Sequence, residues 1–371
     1  MVLYRLTRKL VLNPKQFFLD FFNNRKNLKI DPQRTIFAFN IKEWKKPYLE
    51  SFYPNKKIVY IPINLNESLL KRKYLPHIID NNIEVLVWGM TLPKVIKDSS
   101  AKVTYVEDGF IRSIGLGSEH TPPMSLNFDS KTVYFNAQQA STLEDTLNTY
   151  DFASNSELMA RAIRLKNILL DTGISKYNHN SDVDINGIYG EKTKNRVLVI
   201  GQVEDDASIK YGCSVPITNN DLVRLAVREN PTSQVIYKPH PDVLLQKRRM
   251  LSDPKEVANI CKVLVDDIPL AQSLETIDHV YTITSQAGFE ALLRNIPVTT
   301  LGCPFYSGWG VTDARQPNSR RKVKRTVEEI LAAAYILYPK YFDFDKNEKV
   351  EVEDVIKKLL AERATHSNLE G

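Results

Sequence analysis

Four short polar clusters stand directly after predicted β-strands, and they contain the side chains best suited to chemistry. Their sequences are Glu107-Asp108-Gly109, Glu204-Asp205-Asp206, Lys238-Pro239-His240-Pro241 and Thr284-Ser285-Gln286-Ala287-Gly288. Carboxylates on both sides of a ligand provide acid–base or covalent chemistry at a sugar carbon. Imidazole, ammonium and hydroxyl groups donate hydrogen bonds to phosphate. The clusters therefore predict carboxylates that act beside a bound phosphate, although adjacent acids also serve in salt bridges or metal sites.

The two later clusters favour a nucleotide phosphate. Two hydroxyl groups and Gly288 stand where a strand ends and a helix begins, and such a helix start suits an anion. The same residues also fit an ordinary helix cap. Prolines on both sides of His240 hold the backbone extended, so that its imidazole and the Lys238 ammonium are aimed at the same ligand. Together with the hydroxyl groups, these two residues make phosphate the preferred interpretation.

The elements that position these clusters are short β-rich runs alternating with helical segments. The first series of predicted strands covers residues 35–39, 57–63, 84–88, 102–106 and 132–135, and a long helix is predicted over 142–172. After a polar linker at 178–195, the second series covers 196–200, 234–238, 262–265, 279–283 and 298–301. Strands separated by helices predict parallel sheets, which bind ligands at the carboxyl ends of their strands. The predicted fold class is therefore α/β, with two Rossmann-like lobes facing a central cleft.

Composition supports a globular protein of two domains. Of the 371 residues, 43% are hydrophobic and 25% are charged, which excludes disorder as the main state. The three cysteines are far apart, so neither a disulfide scaffold nor a zinc motif is indicated, and a reducing cytoplasm is the default location. The net charge of +6 suits an anionic substrate or a membrane surface. The basic run at 320–325 lacks interleaved aromatic residues, so a solvated loop is preferred and no nucleic-acid partner is expected.

The first 30 residues form a basic amphipathic segment. They lack the apolar length of a membrane span and the pattern of a secretory signal. One face carries four phenylalanines, Phe17, Phe18, Phe21 and Phe22, and the basic residues around it are Lys15, Arg25, Lys26 and Lys29. Three further basic residues, Arg5, Arg8 and Lys9, precede this face. This composition is typical of a helix that lies on an anionic membrane surface. The alternative is that the phenylalanines pack on the protein's own core.

Seven motifs in a fixed order resemble the capsule-biosynthesis β-Kdo transferases of the KpsC type. They cover residues 106–117, 122–126, 175–178, 201–209, 238–243, 284–293 and 304–313, within a matching region of about 85–342. The resemblance implies a GT-B-type fold, CMP-β-Kdo as the donor, no metal or other cofactor in the transfer step, and retention of the β-configuration. Members of this type commonly carry two transferase modules, whereas this chain has length for one. We therefore expect a single kind of Kdo linkage.

The resemblance also implies domains and roles for the site residues. The expected domains are the basic segment 1–30, an acceptor lobe 31–192, a donor lobe 193–340 and a helical tail 341–371. Asp206 is expected to be the nucleophile, with Glu107 and Asp108 as the other catalytic residues. The alternative is that Asp206 is a helix-capping or salt-bridge residue and that Asp205 or Glu204 carries the chemistry. Donor binding is assigned to Gln202, Ser208, Lys238, His240, Ser285, Gln286, Gly288 and Glu290. The acceptor or the Kdo carboxylate is assigned to Arg112, Ser113 and Lys176.

The expected partners are CMP-Kdo, a saccharide acceptor of a capsule or lipid-linked glycan, the inner-membrane surface and other capsule-assembly proteins. The expected location is the cytoplasm, with peripheral attachment to the cytoplasmic face of the inner membrane. Two alternatives stay open. One is an inverting transferase of a CMP-sialic-acid type, in which Glu107 or Asp108 is a general base. The other is a non-catalytic glycan-binding subunit of a capsule complex.

Overall fold

A computed structural model of the chain describes residues 10–25, 28–114, 120–176, 178, 183–265 and 268–370, the side chains of 366–370 excepted. The chain divides into two compact units. The first unit consists of residues 1–107, 127–133 and 344–349, and the second consists of residues 108–126, 134–343 and 350–371. Each unit has its own hydrophobic core. Residues 1–9, 26 and 27 of the basic segment and residues 115–117 and 177 of the sequence motifs lie outside the described residues.

Thirteen strands and fifteen α-helices have both ends within the described residues, and residues 10–12 are also helical. The strands are β1 Thr35–Phe39, β2 Lys57–Ile61, β3 Val85–Trp88, β4 Val103–Asp108, β5 Ser125–Asp129, β6 Arg196–Ile200, β7 Gln234–Lys238, β8 Lys262–Val263, β9 His279–Thr282, β10 Val298–Thr300, β11 Asp313–Ala314, β12 Pro339–Asp343 and β13 Glu348–Val350. The α-helices are α1 Pro14–Arg25, α2 Lys46–Ser51, α3 Glu67–Lys73, α4 Leu75–Asp80, α5 Lys94–Lys97, α6 Thr142–Thr149, α7 Ser156–Thr172, α8 Ile185–Tyr189, α9 Ala207–Gly212, α10 Asn219–Glu229, α11 Pro241–Leu244, α12 Leu270–Ser273, α13 Ala287–Leu293, α14 Val327–Leu331 and α15 Val352–Glu370.

Both sheets have the strand order of nucleotide-binding folds. The first sheet runs β13-β12-β5-β4-β3-β1-β2, and β2, β1, β3 and β4 pair in parallel. The second sheet runs β11-β10-β9-β6-β7-β8 with parallel pairing throughout. Counted from β6, the second order is 3-2-1-4-5-6, and the first contains 2-1-3-4-5. The predicted α/β class with two Rossmann-like sheets is therefore confirmed.

The strand predictions are accurate where apolar runs are fully buried. Predicted strands at 35–39, 196–200 and 234–238 match β1, β6 and β7 residue for residue. The strand predicted at 132–135 is wrong, because the chain forms β5 earlier and then turns. β5 was missed because its buried residues include Ser125, Asn127 and Asp129, which give no apolar signal. The Asp129 carboxylate accepts hydrogen bonds from the backbone N–H groups of Lys131 and Thr132, which makes the turn.

The helical predictions fail where the sequence lacks glycine and proline signals. The helix predicted over 142–172 is two helices, α6 and α7, because Tyr150 is extended and Asn155 caps the second helix. The segment after residue 340, expected to be a helical tail, contains the end of β12 and all of β13 before α15 begins. No described helix is long and apolar enough to cross a membrane.

The basic run at 320–325 is not a solvated loop, because its arginines are bonded inside the second unit. Arg320 and Arg321 both pair with the buried Glu144 carboxylate, at 2.6 and 3.2 Å. Arg321 also donates to the carbonyl oxygens of Pro304 and Ser307. The run therefore fastens the 304–309 segment to α6.

Candidate active site

The two halves of the second sheet meet at a topological switch point between β6 and β9. Open α/β sheets bind ligands at this position, outside the carboxyl ends of the strands. Gln202 follows β6 and Thr284 follows β9, and the two are joined by a pair of hydrogen bonds. The Gln202 amide donates to Thr284 Oγ1 at 3.1 Å, and its oxygen accepts from the Thr284 N–H at 2.7 Å. Gln202 is thus a buried brace across the switch point.

Asp206 lies just after this brace and caps α9. Its carboxylate oxygen Oδ1 accepts a hydrogen bond from the Ser208 N–H at 2.9 Å. The Asp206 side chain is only partly buried, and its Oδ2 has no hydrogen-bond partner within the described part of the chain. The capping role that the sequence left open is therefore real, and it leaves one carboxylate oxygen for a ligand.

The two neighbouring acids have structural duties. Glu204 accepts hydrogen bonds from the N–H groups of Asn219 and Ser252 and from the Ser252 hydroxyl, at 2.6, 2.9 and 2.6 Å. Asp205 is exposed and pairs with Arg248 at 2.9 Å. Both acids therefore fasten the segment that follows α11 to the loop that carries Asp206. Glu204 thus uses both carboxylate oxygens and Asp205 is paired with an arginine, whereas Asp206 forms no salt bridge within the described residues.

His240 offers a defined donor at the end of β7. It caps α11, and its Nδ1 accepts the Asp242 N–H at 3.1 Å. Burial lowers the pKa of the imidazole below its usual 6.5, while the carboxylates of Asp242 and Asp206 act in the opposite direction. The imidazole is therefore neutral at pH 7. Because Nδ1 is an acceptor, the proton of the neutral ring is on Nε2, which is free to donate to an anion.

Lys238 does not accompany His240 as the sequence suggested. Its side chain is buried, and the ammonium donates to the Ile268 carbonyl at 2.6 Å. The ammonium therefore holds the segment around Ile268 against β7. Its charge still acts on His240, where it opposes protonation of the imidazole.

Ser285 and Gly288 lie at the start of α13 as predicted. Ser285 is half-buried, and its Oγ accepts the Ala287 N–H at 3.2 Å, so the hydroxyl proton can donate elsewhere. The Tyr306 hydroxyl donates to the Ser285 carbonyl at 2.5 Å. A Cβ atom at Gly288 would lie 2.1 Å from that hydroxyl oxygen, so only glycine fits. Gly288 therefore serves close packing beneath the site.

Gln286 and Glu290 face the interior of the second unit. The Gln286 amide donates to the Phe110 carbonyl at 2.8 Å and to the Tyr335 hydroxyl at 3.0 Å. Glu290 is fully buried and pairs with Arg294 at 3.2 Å, and burial raises the pKa of its carboxyl group. Glu290 therefore has no exposed polar atom with which to make its predicted contact with a nucleotide. The Gln286 amide instead holds the backbone at Phe110 in place.

The Glu107-Asp108-Gly109 turn divides between the two units. In the second unit, Asp108 lies 3.1 Å from Nε of Arg112. Arg112 is fully buried and also donates to the Ser113 hydroxyl at 2.6 Å. Its guanidinium is therefore not exposed for the expected direct contact with a substrate carboxylate. Its role is to position the turn. Lys176 lies beside Ser113, since the Ser113 N–H donates to the Lys176 carbonyl.

The sequence predictions missed the contacts that organise the site. The Gln202–Thr284 brace, the Glu204–Ser252 bonds and the Asp205–Arg248 pair join residues that are 82, 48 and 43 positions apart. Nothing local in the sequence signals such pairs. Within the described residues, no group of three or more His, Cys, Asp or Glu side chains forms a cluster suited to a metal ion.

Two of the solved structures that are similar to this chain share about 30% of its sequence. They are the β-Kdo 2,7 transferase and the β-Kdo 2,4 transferase of Thermosulfurimonas dismutans KpsC. The first shares 30% identity with a TM-score of 0.70, and the second shares 31% with a TM-score of 0.74. Each comparison covers 88% of this chain, and 99% and 98% of the respective solved chains.

Curated relatives extend the comparison. The lipopolysaccharide-processing protein LpsZ of Rhizobium meliloti is 42% identical over 88% of this chain and 74% of its own length. The capsule polysaccharide modification protein LipA of Neisseria meningitidis serogroup B is 32% identical over 94% of this chain, which spans about half (48%) of LipA. The family model described as capsule polysaccharide biosynthesis protein matches residues 85–341. The chain therefore belongs to the capsule polysaccharide biosynthesis protein family.

Proposed function

We propose that this protein is a retaining glycosyltransferase that moves Kdo from CMP-β-Kdo to a saccharide acceptor in the synthesis of a capsular or related surface polysaccharide. The observation that carries the proposal is the similarity, at 30–31% identity, to two solved β-Kdo transferases over most of the chain. We further propose a GT-B-type fold, and a transfer step that uses no metal or other cofactor.

Asp206 is the proposed nucleophile. In the first step, its free Oδ2 attacks the anomeric carbon of Kdo, and the bond from that carbon to the CMP phosphate oxygen breaks. The products are CMP and an aspartyl-Kdo ester, with inversion at the anomeric carbon. The location of Asp206 beside the β6–β9 switch point, with one oxygen uncommitted, supports this assignment.

Departure of CMP is assisted by neutral hydrogen-bond donors. His240 Nε2–H and the Ser285 hydroxyl follow the strands on either side of β6. Donors fixed in place before the reaction stabilise the charge that develops on the departing phosphate. Ser208, whose N–H fixes the Asp206 carboxylate, keeps the nucleophile in position.

An acceptor hydroxyl completes the reaction. It attacks the same carbon of the ester, the bond to Asp206 breaks, and the aspartate leaves as a free carboxylate. The hydroxyl proton passes to the Glu107 carboxylate. Two successive inversions give net retention. Asp108 cannot replace Glu107 without losing its pairing with Arg112.

The covalent intermediate provides the test. Intact-protein mass spectrometry after incubation with CMP-Kdo should show one Kdo adduct on a peptide that contains Asp206. Asp206→Asn should abolish the adduct and the transfer, yet should keep the fold, because asparagine caps helices as well as aspartate does. Asp205→Asn is the matched control and should retain the adduct, since Asp205 is an exposed salt-bridge partner.

The same experiment separates the alternatives. Transfer with retention by Asp206→Asn at the wild-type rate would rule out the aspartyl ester. Product of inverted configuration, or activity with CMP-sialic acid only, would favour the inverting CMP-sialic-acid-type transferase. Saccharide binding without CMP release from any donor would favour a glycan-binding subunit. NMR of the product gives the anomeric configuration directly.

We also propose that α1 attaches the protein to the cytoplasmic face of the inner membrane. One side of α1 is docked on the first unit: Leu19 packs against its core, and the Asp20 carboxylate accepts the Asn66 N–H at 3.0 Å. The opposite side leaves Phe18 and Phe22 exposed, at 48% and 65%. The phenylalanines therefore do not all pack on the protein's own core.

Positively charged side chains lie near these exposed phenylalanines, and their charge attracts anionic lipid. Lys15, Arg25 and Lys29 are exposed in the same segment, with Val11 and Leu12 also exposed, at 78% and 70%. Apolar side chains beside basic ones are the composition of an interfacial helix. Co-sedimentation with phosphatidylglycerol vesicles should fall roughly tenfold for each of Phe18→Ser and Phe22→Ser. Unchanged sedimentation would refute the attachment.

The matched control for the vesicle experiment is Ile163→Ser. Ile163 is a 50% exposed apolar residue on α7, in the other unit, so its loss should leave vesicle binding unchanged. High salt should weaken binding of the wild type, because the attraction of lysine and arginine to anionic lipid is screened.

A further inference from the structure

The motif at 304–313 has no role in the proposed reaction, although one of its residues contacts the donor site. Tyr306 is fully buried, and its hydroxyl donates to the Ser285 carbonyl oxygen at 2.5 Å. Burial raises the pKa of this hydroxyl, so it stays protonated and remains a donor at neutral pH. Ser285 in turn supplies a hydroxyl that is proposed to donate to the CMP phosphate. The motif is thus joined to the donor site through the Tyr306 hydroxyl.

The backbone on both sides of Tyr306 is held in place. The Arg321 guanidinium donates to the carbonyl oxygens of Pro304 and Ser307, each at 2.5 Å. The Ser307 N–H also donates to the Pro304 carbonyl at 3.1 Å, which closes a turn around Tyr306. The Tyr306 ring packs on the Phe289 ring of α13, with 5.8 Å between the ring centres. The phenol therefore has a fixed position beneath the start of α13.

The Tyr306 hydroxyl is not needed to satisfy the Ser285 carbonyl. The same oxygen accepts the Gly288 N–H at 3.1 Å, in the turn that leads into α13. The hydroxyl also restricts the sequence, because a Cβ atom at Gly288 would lie 2.1 Å from its oxygen. A phenylalanine ring would pack in this place without that restriction. The second hydrogen bond to Ser285 therefore favours a role in placing this residue.

Ser285 is hydrogen-bonded at both backbone polar atoms. Its N–H donates to the Thr282 hydroxyl at 3.3 Å, and its carbonyl oxygen accepts from Gly288 and Tyr306. Its side-chain oxygen accepts the Ala287 N–H at 3.2 Å, which leaves the hydroxyl proton for a ligand. Donors that are fixed before a reaction stabilise a developing charge without the cost of being ordered during it. The contacts of Ser285 fit such a donor.

We propose that Tyr306 is a positioning residue for the donor half-reaction. It fixes the Ser285 peptide, so that the Ser285 hydroxyl meets the departing CMP phosphate without rearrangement. No bond to the sugar or the phosphate forms or breaks at Tyr306, and its hydroxyl keeps its proton throughout the transfer. This assignment rests on the proposed function, since it takes Ser285 as a donor to the phosphate.

Tyr306→Phe tests the proposal, because it removes the hydroxyl and keeps the ring. Calorimetric titration should show CMP affinity lowered roughly 3- to 10-fold, which is part of the loss expected when a whole hydrogen bond to phosphate is removed. Adduct formation at saturating CMP-Kdo should slow by a larger factor than the affinity falls, because exact placement matters most in the transition state. A hydroxyl with a structural role alone would leave both values unchanged, and that result would overturn the proposal.

Tyr189→Phe is the matched control. Tyr189 is also buried, and its hydroxyl donates to a backbone carbonyl oxygen, that of Ser273, at 2.8 Å. It lies at the other end of the second sheet, because its own carbonyl accepts from Gln234, the first residue of β7. The two variants should lower the midpoint of urea unfolding by similar amounts, but Tyr189→Phe should keep the wild-type CMP affinity and adduct rate. Equal losses of affinity in the two variants would overturn the proposal.

A double-variant cycle separates this inference from the proposed function. Ser285→Ala should weaken CMP binding roughly 10-fold, and adding Tyr306→Phe should then cost no further affinity, since the hydroxyl that Tyr306 positions is gone. Full additivity of the two losses in an active transferase would overturn the positioning role alone. Unchanged affinity in Ser285→Ala would overturn both the phosphate contact of Ser285 and the role of Tyr306. A wild type that binds no CMP would refute the donor proposal and this inference with it.

Discussion

Replacing His240 by asparagine separates the two jobs of the imidazole. Nδ1 caps α11 by accepting the Asp242 N–H at 3.1 Å, while Nε2–H is the proposed donor to the CMP phosphate. The asparagine side-chain oxygen can accept the same N–H, because asparagine is a strong helix cap. Its shorter side chain cannot reach the position of Nε2. His240→Asn therefore removes the ligand contact and keeps the structural one.

The expected magnitudes follow from these contacts. A hydrogen bond to a charged phosphate contributes about 1.5–3 kcal/mol, so His240→Asn should weaken CMP binding roughly 10- to 100-fold. The free energy of unfolding should change by less than about 0.5 kcal/mol. His240→Ala should lose the same affinity and, in addition, about 1 kcal/mol of stability, because the cap is lost as well.

Calorimetric titration with CMP and urea unfolding at pH 7.5 measure the two effects. CMP affinity that is unchanged in both variants would remove His240 from the donor site. A stability loss in His240→Asn as large as in His240→Ala would refute the division of roles between the two ring nitrogens. His240→Gln is a further comparison, because the longer glutamine side chain places its amide toward the Nε2 position. This variant should recover part of the CMP affinity that His240→Asn loses.

Three further predictions concern stability. Burial lowers the pKa of His240 below 6.5, so the contribution of the neutral imidazole to stability is complete above pH 6.5 and is lost as the pH falls below that value. The unfolding free energy of the wild type minus that of His240→Asn should therefore decrease as the pH falls from 7.5 to 5.5, and a constant difference contradicts this. Gly288→Ala places a methyl group 2.1 Å from the Tyr306 hydroxyl and should cost about 1–3 kcal/mol in urea unfolding, partly recovered in the double variant with Tyr306→Phe. Glu144→Gln leaves the buried Arg321 without its carboxylate and should lower stability by about 3 kcal/mol, whereas a loss below 1 kcal/mol would show that the carbonyl contacts of Arg321 suffice.

Elements with strong apolar runs were predictable from the sequence. β1, β6 and β7 are fully or nearly fully buried and bounded by turn residues, and the pattern alone sets their limits. β5 was not predictable, because Asn127 and Asp129 are polar residues with interior positions. The break between α6 and α7 was missed for a similar reason, since Tyr150 adopts an extended conformation that no local residue type demands.

Within the candidate site, the sequence predicted which loops follow the strand ends but not the contacts of each side chain. Asp206, His240 and Ser285 keep polar atoms available, as expected from their types and positions. Lys238 and Arg112 are equally polar but buried, because carbonyl, hydroxyl or carboxylate partners elsewhere in the fold engage them. Whether a charged side chain faces a ligand or the interior depends on partners that are distant in sequence, and no local pattern records them.

The position of β12 and β13 in the first sheet bears on how the chain folds during synthesis. These strands come from residues 339–350, yet they extend the sheet beyond β5, which ends more than 200 residues earlier at Asp129. The six strands of the second sheet are complete by residue 314. On the ribosome, the second sheet can therefore close while β5 still has an unpaired edge, and such edges recruit other chains. The nascent protein is thus most vulnerable to aggregation late in translation, until residue 350 has emerged.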